Sequence, residues 1–371
     1  MQALPPESAP CDRQSTPCMR EVFERARASI FESIGDLGGP PSEQELAASK
    51  ERVRRVNVWA GEAMATLLDE FAPGFDLFAD LKADDRESWR RRAPGLVGLG
   101  INTYRQLMRF SEERCDARYA LAAGLFQLLT GYLDWLGNET PHGSALAAGL
   151  PPGTIHSLSQ QPRFRTQYLA DLRRHAVPEV GAFSALLGAL YGLLERLPGE
   201  SIALRYLIAQ VVTMQTEAIC PINPELDGNT VAQTRAGLPT LVIGELARQT
   251  ACAATRGTVW DAATKHSPVF GFLSELRSLP RDLDSGRPNA LGGVSLTSAG
   301  APATLEAWLA ADHLGMRTSE VVDALRRIDQ LLGAMPQGRA RREATLSWLR
   351  ILMWDRLQDS PPLSRRAVPA G

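Results

Sequence analysis

The sequence predicts an all-α protein: a large single-domain α-helical bundle with a central apolar cavity. Three observations carry that prediction. Between two polar, Pro-rich ends, nearly every segment repeats apolar residues at helical spacing. No run alternates β-branched and polar residues, and no Asn-Gly turn joins two such runs, so strand signals are sparse. Several segments are apolar nearly all round, notably 119–133, 180–194 and 204–219. Helices of that kind belong in the middle of a bundle, covered by amphipathic ones.

Taken in order, residues 1–18 are polar and Pro-rich and read as a disordered tail. Helices are expected at 19–35 and 43–70, separated by the GGPP break at 38–41. A short helix at 74–82 follows, then long ones at 86–110 and 113–137. The next stretch, with LPPG at 150–153, reads as punctuation. Helices resume at 163–175, 178–196 and 201–219, and CPINPELDGN breaks the chain at 220–229. The rest are expected at 230–253, 257–278, 303–312, 318–334 and 338–358, before a second disordered tail at 359–371. The bundle domain therefore spans 19–358, with no internal repeat of fixed period.

Composition narrows the function classes. The chain has 371 residues, 44% hydrophobic and 22% charged, with formal net charge -2. That balance gives no general pull toward nucleic acid or an anionic membrane. Val180 to Leu194 is uncharged but short for a bilayer, and Pro288 to Leu305 has the Gly, Ser and Pro content of a loop. The five cysteines are scattered and form no CxxC pair, so neither a disulfide framework nor a zinc knuckle is implied. The N-terminus lacks the basic start and apolar run of a signal peptide. A cytoplasmic protein is the expectation.

The informative detail is where the apolar helices keep polar residues. Gln127, Thr130, Gly131, Asp134 and Asn138 share one helical face. Tyr206, Gln210, Thr213 and Glu217 share another, and Gly271, Glu275, Ser278 and Asp282 a third, with Ser274 beside them. Pro280 is expected to kink or end that last helix. Each stripe ends in a carboxylate: Asp134 with Glu139 nearby, Glu217, and Asp282 with Asp284. Buried polar groups need partners. One reading is a shared interior whose acids gather at one mouth, a natural Mg²⁺ site because that hard ion takes oxygen ligands and shares them with phosphate. The other is a set of helix–helix hydrogen-bond networks, or helix ends reaching water.

The segment Ser274-Glu275-Leu276-Arg277-Ser278-Leu279-Pro280-Arg281-Asp282-Leu283-Asp284-Ser285-Gly286-Arg287-Pro288-Asn289 resembles the second acidic region of the class I isoprenoid synthase superfamily. The closest likeness is to bacterial class 1 isoprenoid biosynthesis enzymes, whose second acidic region ends in Gly-Arg-Pro-Asn. Glu275 and Asp282 keep acids in acid positions, whereas Ser274 and Ser278 stand where that family has aspartates. Tyr132-Leu133-Asp134-Trp135-Leu136-Gly137-Asn138-Glu139 resembles the first acidic region, without its double aspartate. Gln233-Thr234-Arg235-Ala236-Gly237-Leu238-Pro239 looks like the basic stretch before an apolar helix, with Arg235 kept and the lysine absent. The resemblance implies a small-molecule prenyl diphosphate substrate held by Mg²⁺. Asp134 and Glu139 would take the metal from one side, Glu275 and Asp282 from the other, and Arg235 and Arg287 would contact diphosphate. Gln127, Tyr206, Gln210, Thr213 and Glu217 would line the substrate. It further implies an allyl cation shielded in an apolar pocket, then cyclised or passed to an acceptor. Homodimerisation is an expectation from the fold class alone.

Three outcomes stay open: a terpene synthase or prenyltransferase with altered metal ligation, an enzyme ionising its substrate differently, or a non-catalytic helical isoprenoid-binding protein. Cyclisation is favoured over elongation, since no Arg- and Lys-rich second diphosphate site is visible near Asp134. Elsewhere, Asp76, Asp80 and Asp84 lie at DxxxD spacing but amid charges, and read as a solvated face. The five histidines show no paired spacing, and Walker, GxGxxG, HExxH and Gly-x-Ser-x-Gly motifs are absent.

Overall fold

The computed structural model describes residues 19–71, 78–79, 81–149, 152–175, 177–199, 202–219, 228–285, 313–335 and 338–358. Among them no strand occurs, and the molecule is all-helical. The helices are α1 (Met19–Ser33), α2 (Glu43–Phe71), α3 (Ala83–Leu107), α4 (Ala117–Glu139), α5 (Gly143–Gly149), α6 (Pro152–Gln160), α7 (Pro162–His175), α8 (Pro178–Glu195), α9 (Ile202–Ile219), α10 (Gly228–Thr250), α11 (Arg256–Ser285), α12 (His313–Gly333) and α13 (Gly338–Gln358). A 3₁₀ turn, Met108–Phe110, extends α3.

Local chemistry sets the helix starts. Ser42 and Glu45 form a reciprocal capping box before α2: the Ser42 amide donates to Glu45 Oε2 at 2.8 Å, and the Glu45 amide donates to Ser42 Oγ at 3.3 Å. Asp116 caps α4 by accepting from the Arg118 amide at 2.8 Å. That cap starts α4 at Ala117, later than the expected 113. Pro178 opens α8 at a position where its missing N–H costs nothing.

Packing follows chain order in part. α3 lies against α2, α4 and α10; α4 also meets α8 and α9; α11 is seated between α10 and α12. α3 and α4 are antiparallel: Trp89 meets Trp135 at one end, with centroids 5.5 Å apart, and Tyr104 Oη accepts from the Asp116 amide at the other. The pair approaches closely because three glycines leave room. A Cβ on Gly100 would come within 2.3 Å of the Ala123 carbonyl oxygen, and one on Gly124 or Gly131 would strike Val97 or Leu96. One cluster of buried apolar side chains runs from Val22 to Leu357. No helix among the described residues is long and apolar enough to cross a membrane.

Several boundaries differ from the sequence expectation. Phe78 and Ala79 form a turn within the expected helix 74–82. The stretch read as punctuation carries α5 and α6; Pro152 stands at the first position of α6, where proline starts a helix rather than stopping one. α11 runs through Pro280 to Ser285. Leu276 and Leu279, both fully buried, hold the preceding turn in the core, and this burial offsets the hydrogen bond that proline removes. Pro94 and Pro239 are likewise tolerated inside α3 and α10. The expected tails and the helix 303–312 lie outside the described residues.

Candidate functional site

The two acidic regions belong to different helices, α4 and α11. At the end of α4, Asp134 is exposed, and Glu139 lies 3.9 Å from Arg92 with both side chains about half in water, a screened pair of little energetic weight. The same end of α3 and α4 carries a buried aromatic cluster. Trp89, Tyr132 and Trp135 have centroids 4.9 to 5.5 Å apart, and Phe78 stacks on the outside of the group. Tyr132 donates its hydroxyl to the Glu179 carbonyl oxygen at 2.9 Å. Burial, reinforced by the nearby Glu179 carboxylate, pushes the Tyr132 phenol far above its usual range. The Glu179 side chain is itself buried, 3.8 Å from the partly exposed His142 ring.

The α4 stripe is used mainly in contact with α3. Gln127 is half-buried beside Gly100, and Gly131 faces Leu96. Thr130 is buried and donates to the Gln127 carbonyl oxygen at 3.0 Å. On α9, Tyr206 is exposed and meets His156 of α6 edge to face. Gln210 and Thr213 are half-buried, and Thr213 donates back to the Ala209 carbonyl oxygen. The side chains of Asn138, Glu217, Arg235, Asp282 and Asp284 lie outside those described, as does all of Arg287.

α11 is different. Glu275 is only 3% exposed and Gly271 is buried beside it on the same face. Ser274, one position away and rotated about 100° round the helix, is exposed. Ser278 is half-buried and donates to the Glu275 carbonyl oxygen at 3.2 Å. Two further ionisable groups are buried on the α10–α11 side. Glu245, 2% exposed, accepts from Arg248 Nε at 2.6 Å and Nη2 at 2.8 Å, and from Gln249 Nε2 at 3.2 Å. The Glu245 carboxylate raises the Arg248 pKa. His266 is fully buried, and its Nδ1 lies 2.7 Å from the Ala262 carbonyl oxygen. Nδ1 is therefore the donor, and Nε2 has no partner among the described residues. Burial depresses the His266 pKa to about 4, so the ring is neutral near pH 7.

Neither Glu245 nor His266 was singled out as a site residue by the sequence analysis. Their signal was one acid inside the apolar run LVIGELA and a His beside Lys265 in AATKHSPVFG, which paired-motif searching passes over. Asp84, from the DxxxD set, is exposed in the first turn of α3, where an acid suits the helix dipole.

Among the described residues, no three His, Cys, Asp or Glu side chains gather in a group able to hold a metal. Asp134, Glu139 and Glu275 therefore do not gather into one such group by themselves, and the Asp282 side chain lies outside those described. Cys115 and Cys252 are free thiols. No protein-family model, no curated protein and no solved structure matches the chain.

Proposed function

We propose that this chain is a class I terpene synthase-like enzyme that ionises an allylic prenyl diphosphate with Mg²⁺ and cyclises or otherwise quenches the cation. Glu275 carries the reading. It is a carboxylate buried in an apolar helix, and that helix leads without interruption toward Asp282 and the Gly286-Arg287-Pro288-Asn289 exit. An acid carried inside the bundle, on the helix that continues to Asp282, is what oxygen ligation of Mg²⁺ would use. In this reading Glu275 and Asp282 hold Mg²⁺ opposite Asp134 and Glu139, while Arg235 and Arg287 take the diphosphate. If the quenching group is a second substrate, the same site makes a prenyltransferase.

The exposure of Asp134 and the packing of its stripe against α3 favour a second reading, a non-catalytic helical isoprenoid-binding protein. Thermal unfolding separates the two. For the enzyme, a non-hydrolysable fifteen-carbon diphosphate analogue raises Tm only together with Mg²⁺, because only the ternary complex binds the native state tightly. A shift caused equally by the matching prenyl alcohol without metal supports the binding protein. No shift with either ligand contradicts both.

A further inference from the structure

We draw no further inference here: the strongest candidate, the exposed apolar patch at the start of α9, where Ile202 and Tyr206 stand one turn apart beside His156 of α6, is a bare surface, and nothing in the structure shows what covers it.

Discussion

The α3–α4 and α10–α11 pairs solve one packing problem with different interiors. Both bring helices together at glycines: Gly100, Gly124 and Gly131 in the first, Gly237 and Gly244 in the second, where added Cβ atoms would meet Ser267 and Ala263. The α3–α4 seam is closed at one end by Trp89, Tyr132 and Trp135, and its ion pair Arg92–Glu139 stands half in water. The α10–α11 side keeps Glu245, His266 and Glu275 buried. Close backbone approach therefore does not decide which interior keeps ionisable groups: Glu245 is retained with Arg248 and Gln249 as partners, and His266 is retained as the neutral ring.

The largest expected effect breaks the comparison by pH. The folded His266 pKa lies at about 4 against an ordinary value of 6.5, so the unfolded chain binds the extra proton across that window. The resulting stability is present above pH 6.5, falls as the pH drops toward 4, and amounts to roughly 3 kcal/mol. Urea unfolding of wild type and His266→Leu at several pH values should show a much flatter acid profile in the variant. Next is volume. Gly100→Ala forces a Cβ onto the Ala123 carbonyl and should destabilise by about 2–3 kcal/mol, with the same penalty at pH 5 and pH 7. A smaller loss, about 1–2 kcal/mol, is expected for Glu245→Ala, because Arg248 is partly exposed and can turn its guanidinium to water. Smallest is Gly95→Ala on α3, where a Cβ meets nothing within 4 Å; it should stabilise by about 0.5–1 kcal/mol through helix propensity. Thermal melts of these two variants side by side would rank them.

The fold class was legible because helical periodicity is a local property, and the long helices need only that. α5 and α6 were not: seven and nine residues give too few turns for a period to register, and the prolines at 151 and 152 read as a stop. Pro280 misled in the same way, since the burial of Leu276 and Leu279 depends on how α11 packs against the rest of the bundle. For the site, Gly271 and Glu275, put on one face by spacing, are both buried, whereas Ser274, put beside that face, is exposed. Spacing could not tell which neighbour each stripe meets. Gln127 and Gly131 meet α3, a fact that depends on Gly100 and Leu96 some thirty residues away.

The most direct test of the proposed activity is turnover. The full chain is incubated with ten-, fifteen- and twenty-carbon allylic diphosphates, with Mg²⁺ or with EDTA, and both extractable product and released pyrophosphate are measured. The account predicts pyrophosphate release that requires Mg²⁺ with at least one chain length and is abolished in Glu275→Gln and Asp134→Asn while both variants keep the wild-type helical spectrum. No release with any chain length, or release undiminished in Glu275→Gln, would contradict it.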